Sequence, residues 1–204
     1  MDKKIILEIF NFLDKNLIFT CKDDFWWPNS GTFEVIIGAI LTQNTTWKNV
    51  EKSLYNLKNH LTLDKFITLK EENLKEMIKP SGFYNQKAPR LLKISQNIKK
   101  EFNNFETFKK QVSREWLLNQ KGIGFESADA ILCYGCYKEI LVIDAYTKRL
   151  LKKFDLEFKK YDEYRIFLEE AIKENWDILK TKYKNLHHCY ALFHGKIVEY
   201  NKTI

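Results

Sequence analysis

From Trp116 to Asp144 the chain reads WLLNQKGIGFESADAILCYGCYKEILVID. Two apolar stretches hinge on KGIG, and a single acid closes an ILVI run. Glycine reaches backbone angles that other residues resist. Gly122 and Gly124 therefore let the chain turn tightly between two helices, and Ala128 and Ala130 let those helices approach closely. The first backbone N–H groups of the second helix then point outward, where the helix dipole favours an anion such as a phosphate. Ser127 can add a hydroxyl to that seat and Lys121 a charge. The Gly122-Ile123-Gly124 triplet taken alone is equally served by a plain αα-turn with a glycine cap. Asp144 taken alone is equally served by capping the helix that follows it.

Elsewhere helix breakers are scarce, with 7 Gly and 3 Pro in 204 residues. Leu, Ile, Lys and Glu are abundant, which predicts an all-α fold of many short helices. Residues 2–19 read as an amphipathic helix. TFEVIIGAILTQ at 32–43 is apolar nearly all round and reads as a buried one. Further helices are expected near 46–59, 64–69, 71–78, 85–102 and 105–111. Another spans 113–119 with Ser113 as N-cap, and others span 126–135, 144–153, 161–174 and 176–200. Ile140 to Ile143 reads as a buried extended connection. No run approaches the roughly 20 apolar residues of a membrane span, and the interrupted first 19 residues do not read as a signal peptide. The expected setting is a bacterial cytoplasm, near the nucleoid, and the expected state a monomer.

The net charge of +7 fits an acidic partner such as nucleic acid. Of 34 basic residues only Arg90, Arg114, Arg149 and Arg165 are arginine. An AT-rich coding sequence produces the same lysine excess, so a basic surface has to be argued locally. Lys121, Lys48 and Arg90 are candidates for backbone contacts. The four cysteines are Cys21, Cys133, Cys136 and Cys189. Cys133-x-x-Cys136 has no second pair to complete a four-ligand zinc site, so no metal is expected there.

Beyond the hairpin, the stretches WWPN, GAILTQNT, PSGFYNQKA, REWLLNQKGIGFESADAILCY and FHGKIVEY occur in one order. Together with VIDAYTKRL they resemble the helix-hairpin-helix superfamily of endonuclease III-like DNA glycosylases, and within it the 3-methyladenine DNA glycosylase III type. The resemblance covers nearly the whole chain. It implies two helical lobes flanking a DNA- and base-binding cleft. One lobe is residues 25–135, with the hairpin at about 113–135; the other joins 1–24 to 136–204.

The resemblance also implies roles. Asp144 falls at the catalytic aspartate of a V-D-x-x-x-x-R setting, with Arg149 five residues on. A fixed carboxylate stabilises the positive charge that builds on deoxyribose as an N-glycosidic bond breaks. Trp26, Trp27 and Pro28, with Trp47 after the QNT loop, are implied as flat surfaces for a flipped, cationic base. Gln43 and Asn44 are implied to fill the gap left by the flipped nucleotide, and Lys196 to reach the pocket. Lys121, Gly122, Ile123, Gly124 and Ser127 are implied to grip DNA. Some relatives carry a nucleophilic lysine two residues after the second hairpin glycine; here that place holds Glu126, which implies hydrolysis without strand cutting. Cys189 alone in the C-terminal region implies no iron–sulfur cluster, while a K⁺ or Na⁺ ion at hairpin carbonyls is implied by the superfamily. The expected partner is duplex DNA with alkylated bases. Two alternatives stay open: a glycosylase of the same fold for another damaged or mispaired base, and a non-catalytic helix-hairpin-helix DNA-binding protein.

Overall fold

Ile6, Ile9, Phe10 and Leu13 recur at helical spacing and are all buried, which sets the first helix, α1 (Ile5–Asn16). The structure, a computed structural model, describes residues 2–20 and 23–203. Cys21 lies outside them. Among the described residues the regular structure is helical throughout, as the scarcity of breakers predicts. After α1 come α2 (Glu34–Leu41), α3 (Trp47–Asn56), α4 (Leu63–Phe66), α5 (Glu71–Ile78), α6 (Tyr84–Phe102) and α7 (Phe105–Gln111). The chain continues through α8 (Arg114–Leu118), α9 (Phe125–Ala130), α10 (Ala145–Lys152), α11 (Tyr161–Glu174), α12 (Trp176–Leu179) and α13 (Leu186–Lys202). No helix among the described residues is long and apolar enough to cross a membrane.

The chain divides into two compact units: Met1–Ser30 with Tyr137–Ile204, and Gly31–Cys136. The boundary differs from the expected one at residues 25–30, which pack with the terminal unit. Aromatic contacts account for this. The Phe25 ring lies 4.8 Å from that of Tyr137 and 4.7 Å from that of His187. Tyr137 Oη also donates to the Ser30 carbonyl at 2.9 Å.

In the terminal unit, α1 packs on α13 around Phe10 and Phe193, whose ring centroids are 4.5 Å apart. Leu150, Leu168, Ile172 and Ile197 extend this core from α10, α11 and α13. A single helix over 176–200 does not form. α12 ends at Leu179, and α13 starts afresh where the Asn185 side chain accepts the His188 N–H at 2.8 Å. An asparagine at that position caps a new helix better than it continues an old one.

In the central unit, every residue of α2 after Glu34 is buried, which explains its unbroken apolar character. α9 passes directly into a π-helical turn, Ile131–Gly135. There Gly135 lies against Val35 of α2, with ordinary van der Waals room for one methyl group. The two helices of the hairpin are tied by charge as well as packing. The Arg114 guanidinium donates to both carboxylate oxygens of the fully buried Asp129, at 2.6 and 3.0 Å. Such a bidentate pair fixes orientation as well as distance.

Candidate active site and hairpin

Ile140 to Ile143 is buried, as expected, lies outside regular structure, and its backbone is anchored from α11. Leu141 N–H donates to Glu169 Oε1 at 2.9 Å, and Ile143 N–H to Tyr161 Oη at 3.1 Å. Glu169 is in turn held by Arg165 at 2.9 Å. This strut delivers Asp144 to the N-terminus of α10. Its Oδ1 accepts from the Thr147 backbone N–H at 2.7 Å and from the Thr147 hydroxyl at 2.8 Å. Its Oδ2 lies 3.4 Å from His194 Nε2. Burial by itself would raise the Asp144 pKa. The His194 imidazole beside it, then the two Thr147 donors, outweigh it and hold the carboxyl below its usual range. Asp144 is thus a largely buried carboxylate that stays ionised at neutral pH.

His194 meets an aromatic surface on its other side. The Trp26 ring stands edge-on to the imidazole, with centroids 5.5 Å apart and planes at 87°. Three features fix that indole. Its Nε1–H donates to Glu199 Oε1 at 2.9 Å. Its backbone sits at φ 68°, a region costly for a bulky side chain. Its ring covers Gly195, where a Cβ would meet Trp26 Cγ at 2.5 Å. Gly195 and Glu199 are four apart on α13 and share a face, so one helix face seats the ring and holds its N–H. Trp27 is buried at 86° to Trp26, and Pro28 is exposed. Lys196 is half-buried and paired with Asp14 at 2.5 Å, with Tyr183 Oη 3.3 Å away. Its charge is therefore matched. Asp14, which also takes Lys182 at 3.0 Å, has its carboxyl lowered by these two lysines against the upward push of burial.

The hairpin lies in the central unit. Gly122 has φ 85°, and Ile123 is buried beneath the turn. The side of Gly122 that lacks a Cβ is covered by the Arg90 side chain: a Cβ would meet Arg90 Cδ at 2.5 Å and Nε at 2.7 Å. Gly124 corrects the sequence reading. Its backbone is extended, at φ −95° and ψ −179°, which any residue adopts. A Cβ there would face open space. Folding demands a glycine at 122 and not at 124. Ser113 caps α8 as expected, accepting from Trp116 N–H at 3.0 Å.

The QNT loop is tied to this turn. Gln43 Nε2 donates to the Gly122 carbonyl and to Ser127 Oγ, both at 3.0 Å. Gln43 and Ser127 thus hold each other, while Asn44 is exposed at φ 54°. Trp47 opens α3 and is half-buried. The loop is braced from behind by Lys87, a residue the sequence reading gave no role. Its buried ammonium donates to the Leu41 carbonyl at 2.7 Å and the Ser81 carbonyl at 2.9 Å.

The expected residues therefore assemble as two groups. Asp144, Trp26, Trp27, Pro28 and Lys196 belong to the terminal unit. Gln43, Asn44, Trp47, Lys121, Gly122, Ile123, Gly124 and Ser127 belong to the central one. His194, Gly195 and Glu199 were passed over although FHGKIVEY was singled out. The four-residue spacing of Gly195 and Glu199 was visible, but their partner Trp26 is remote in sequence. Cys133, Cys136 and Cys189 are buried.

The sequence pattern of the HhH-GPD superfamily base excision DNA repair proteins matches residues 37–177, and the chain belongs to that family. It is 39% identical over 186 residues to a Methanocaldococcus jannaschii protein provisionally named a DNA repair glycosylase, covering 87% of this chain and 80% of that one. It is similar to the solved structure of H. pylori 3-methyladenine DNA glycosylase (MagIII) bound to 1,N6-ethenoadenine. There the identity is 46%, the TM-score 0.88, and coverage 100% of this chain and 98% of that one. A Thermotoga maritima endonuclease III is 32% identical over 119 residues, 58% of this chain and 54% of that protein.

Proposed function

We propose that this DNA glycosylase is monofunctional and excises 3-methyladenine from alkylated duplex DNA. One observation carries the reading: an ionised, largely buried carboxylate separated by a single imidazole ring from a half-buried, rigidly held tryptophan. The similarity to the H. pylori 3-methyladenine DNA glycosylase supports the same substrate. The base, flipped from the duplex, stacks on Trp26. Its positive charge favours an electron-rich indole.

The C1′–N bond breaks with its electron pair moving to the base, which leaves neutral. Positive charge appears on the sugar, and the Asp144 carboxylate stabilises it. Water adds at C1′ and gives up a proton, leaving an abasic site. Gln43 and Asn44 enter the vacated stack, and the backbone of residues 121–124 holds phosphate.

Glu126 stands where a lyase carries its nucleophilic lysine, so no Schiff base forms. No step draws on a metal or cluster. A K⁺ or Na⁺ ion would share the carbonyls of Gln120, Gly122 and Gly124 with the N–H donors of Ile123, Gln43 and Ala128.

The test is to incubate purified protein with methylated duplex DNA, with and without chelator, and identify the free base. 3-Methyladenine released at equal rates, with no borohydride-trapped adduct, is the expected result. Release of an oxidised pyrimidine instead, or DNA binding with no base released, would overturn the proposal.

A further inference from the structure

Beside the hairpin the central unit carries a groove of about 490 Å³, lined by Asn85, Gln86, Pro89, Arg90, Lys93 and Lys121. Three of the six are cations and none is an acid. Among the described residues, Arg90, Lys93 and Lys121 make no ion pair with a carboxylate, whereas Lys75, Lys99 and Lys152 each do. Arg90 and Lys93 are three apart on α6, so their side chains rise on one helix face. Lys121 comes from the turn itself.

The packing of Arg90 joins the two elements. Its Cδ, Nε and Cζ lie over the bare side of Gly122, within 3.0 Å of where a Cβ would stand. Glycine at 122 thus makes room for an arginine as well as supplying the turn angle. Held against the turn in this way, the guanidinium begins a cationic track that Lys93 continues along α6. A planar guanidinium and two ammonium groups around one groove, with the amides of Asn85 and Gln86, offer the positive charge and the hydrogen-bond donors that a run of phosphodiesters takes.

We propose that this groove binds backbone phosphates of the DNA next to those held by the hairpin, with Arg90 and Lys93 as contacts supplied by α6. This rests on the reading of the chain as a DNA glycosylase and extends its footprint beyond the turn.

Phosphate contacts are counted by salt dependence, each contributing about 0.9 to the slope of log affinity against log salt. The experiment measures that slope for the full chain on a duplex carrying a non-cleavable abasic analogue. Wild type is compared with Arg90→Gln, Lys93→Gln, the double variant, and Lys173→Gln as an exposed lysine of the other unit. Melting temperatures identify any variant that fails to fold, and Lys93→Gln, at an exposed position, keeps the test alive if Arg90→Gln does.

Each groove substitution is expected to shallow the slope by about 0.9 and the pair by about twice that, with Lys173→Gln at wild-type slope. Equal slopes in wild type and the folded groove variants, an equal effect of Lys173→Gln, or no DNA binding by wild type would each overturn the groove. If wild type binds with the expected slopes but releases no base, the glycosylase chemistry fails and the groove stands.

Discussion

At the scale of single residues, Asp144 and Lys87 are both buried charges, and their neighbours treat them oppositely. Asp144 is surrounded by donors, so its carboxyl titrates below the ordinary range despite burial. Asp144→Asn keeps the size and an acceptor for Thr147 but removes the charge. Single-turnover base release should fall by about 10²–10³-fold, the usual consequence of losing one electrostatic stabiliser, with duplex binding retained. A depressed folded pKa means that ionised Asp144 adds stability above its unfolded value of roughly 4. That stability is lost as pH falls through the lower folded value. The urea midpoint of unfolding should therefore fall less steeply as pH drops below about 4 in Asp144→Asn than in wild type. Lys87 is desolvated and faces the charge of Arg90, which push its pKa down to about 8. Native protein then releases this proton before the unfolded chain does. Wild-type stability, measured against Lys87→Met, should rise between about pH 8 and the ordinary lysine value of roughly 10.4. Below pH 8 Lys87→Met should still lose about 1–3 kcal/mol, because two buried carbonyls lose their donor. Parallel stability curves for the two proteins in alkali would refute the account of Lys87.

At the scale of elements, α13 does more than close the core. One face carries Gly195 and Glu199 against Trp26, and the adjacent His194 reaches Asp144. Trp26 and Asp144 are thus both positioned from one helix. Gly195→Ala places a methyl group 2.5 Å from the indole Cγ. Backbone and ring cannot both stay, and overpacking of this kind costs about 1–3 kcal/mol. The expected outcome is a fall in base release larger than the fall in stability accounts for, with the loss appearing in KM for damaged DNA. Unaltered kinetics in a folded Gly195→Ala protein would show that Trp26 does not carry the base. The hairpin follows a different logic. Arg114 and Asp129 lock α8 to α9, so the turn is presented by a tied pair of helices.

At the scale of the molecule, each unit encloses its own core, and the thiols lie inside them. Cys133 and Cys189 are fully buried and Cys136 nearly so. Burial pushes the Cys189 thiol up to about 12, far from the thiolate form that reacts. Alkylation of native protein followed by mass spectrometry should leave these three unmodified until denaturant is added. Prompt native labelling at any of them would mean that its unit opens far more readily than this packing allows.

Much of this was legible beforehand, and for one reason: the informative signals were local. Helical periodicity over α1, the caps at Ser113 and Asp144, and the apolar run of α2 depend on residues within a few positions of each other. The hairpin and its family likeness are of the same kind, being contiguous strings. The break between α12 and α13 was missed because a single Asn cap is weak against a long helical pattern. What lay out of reach depended on partners distant in the chain: His194 beside Asp144, Glu199 and Gly195 beneath Trp26, Lys87 under the QNT loop, and Arg90 across Gly122. The sequence alone determined an all-helical chain, its glycine turn and the acid that follows. Only the tertiary structure decided which ring faces that acid, which charge is matched and which glycine is required, because burial and contact arise when remote segments fold together.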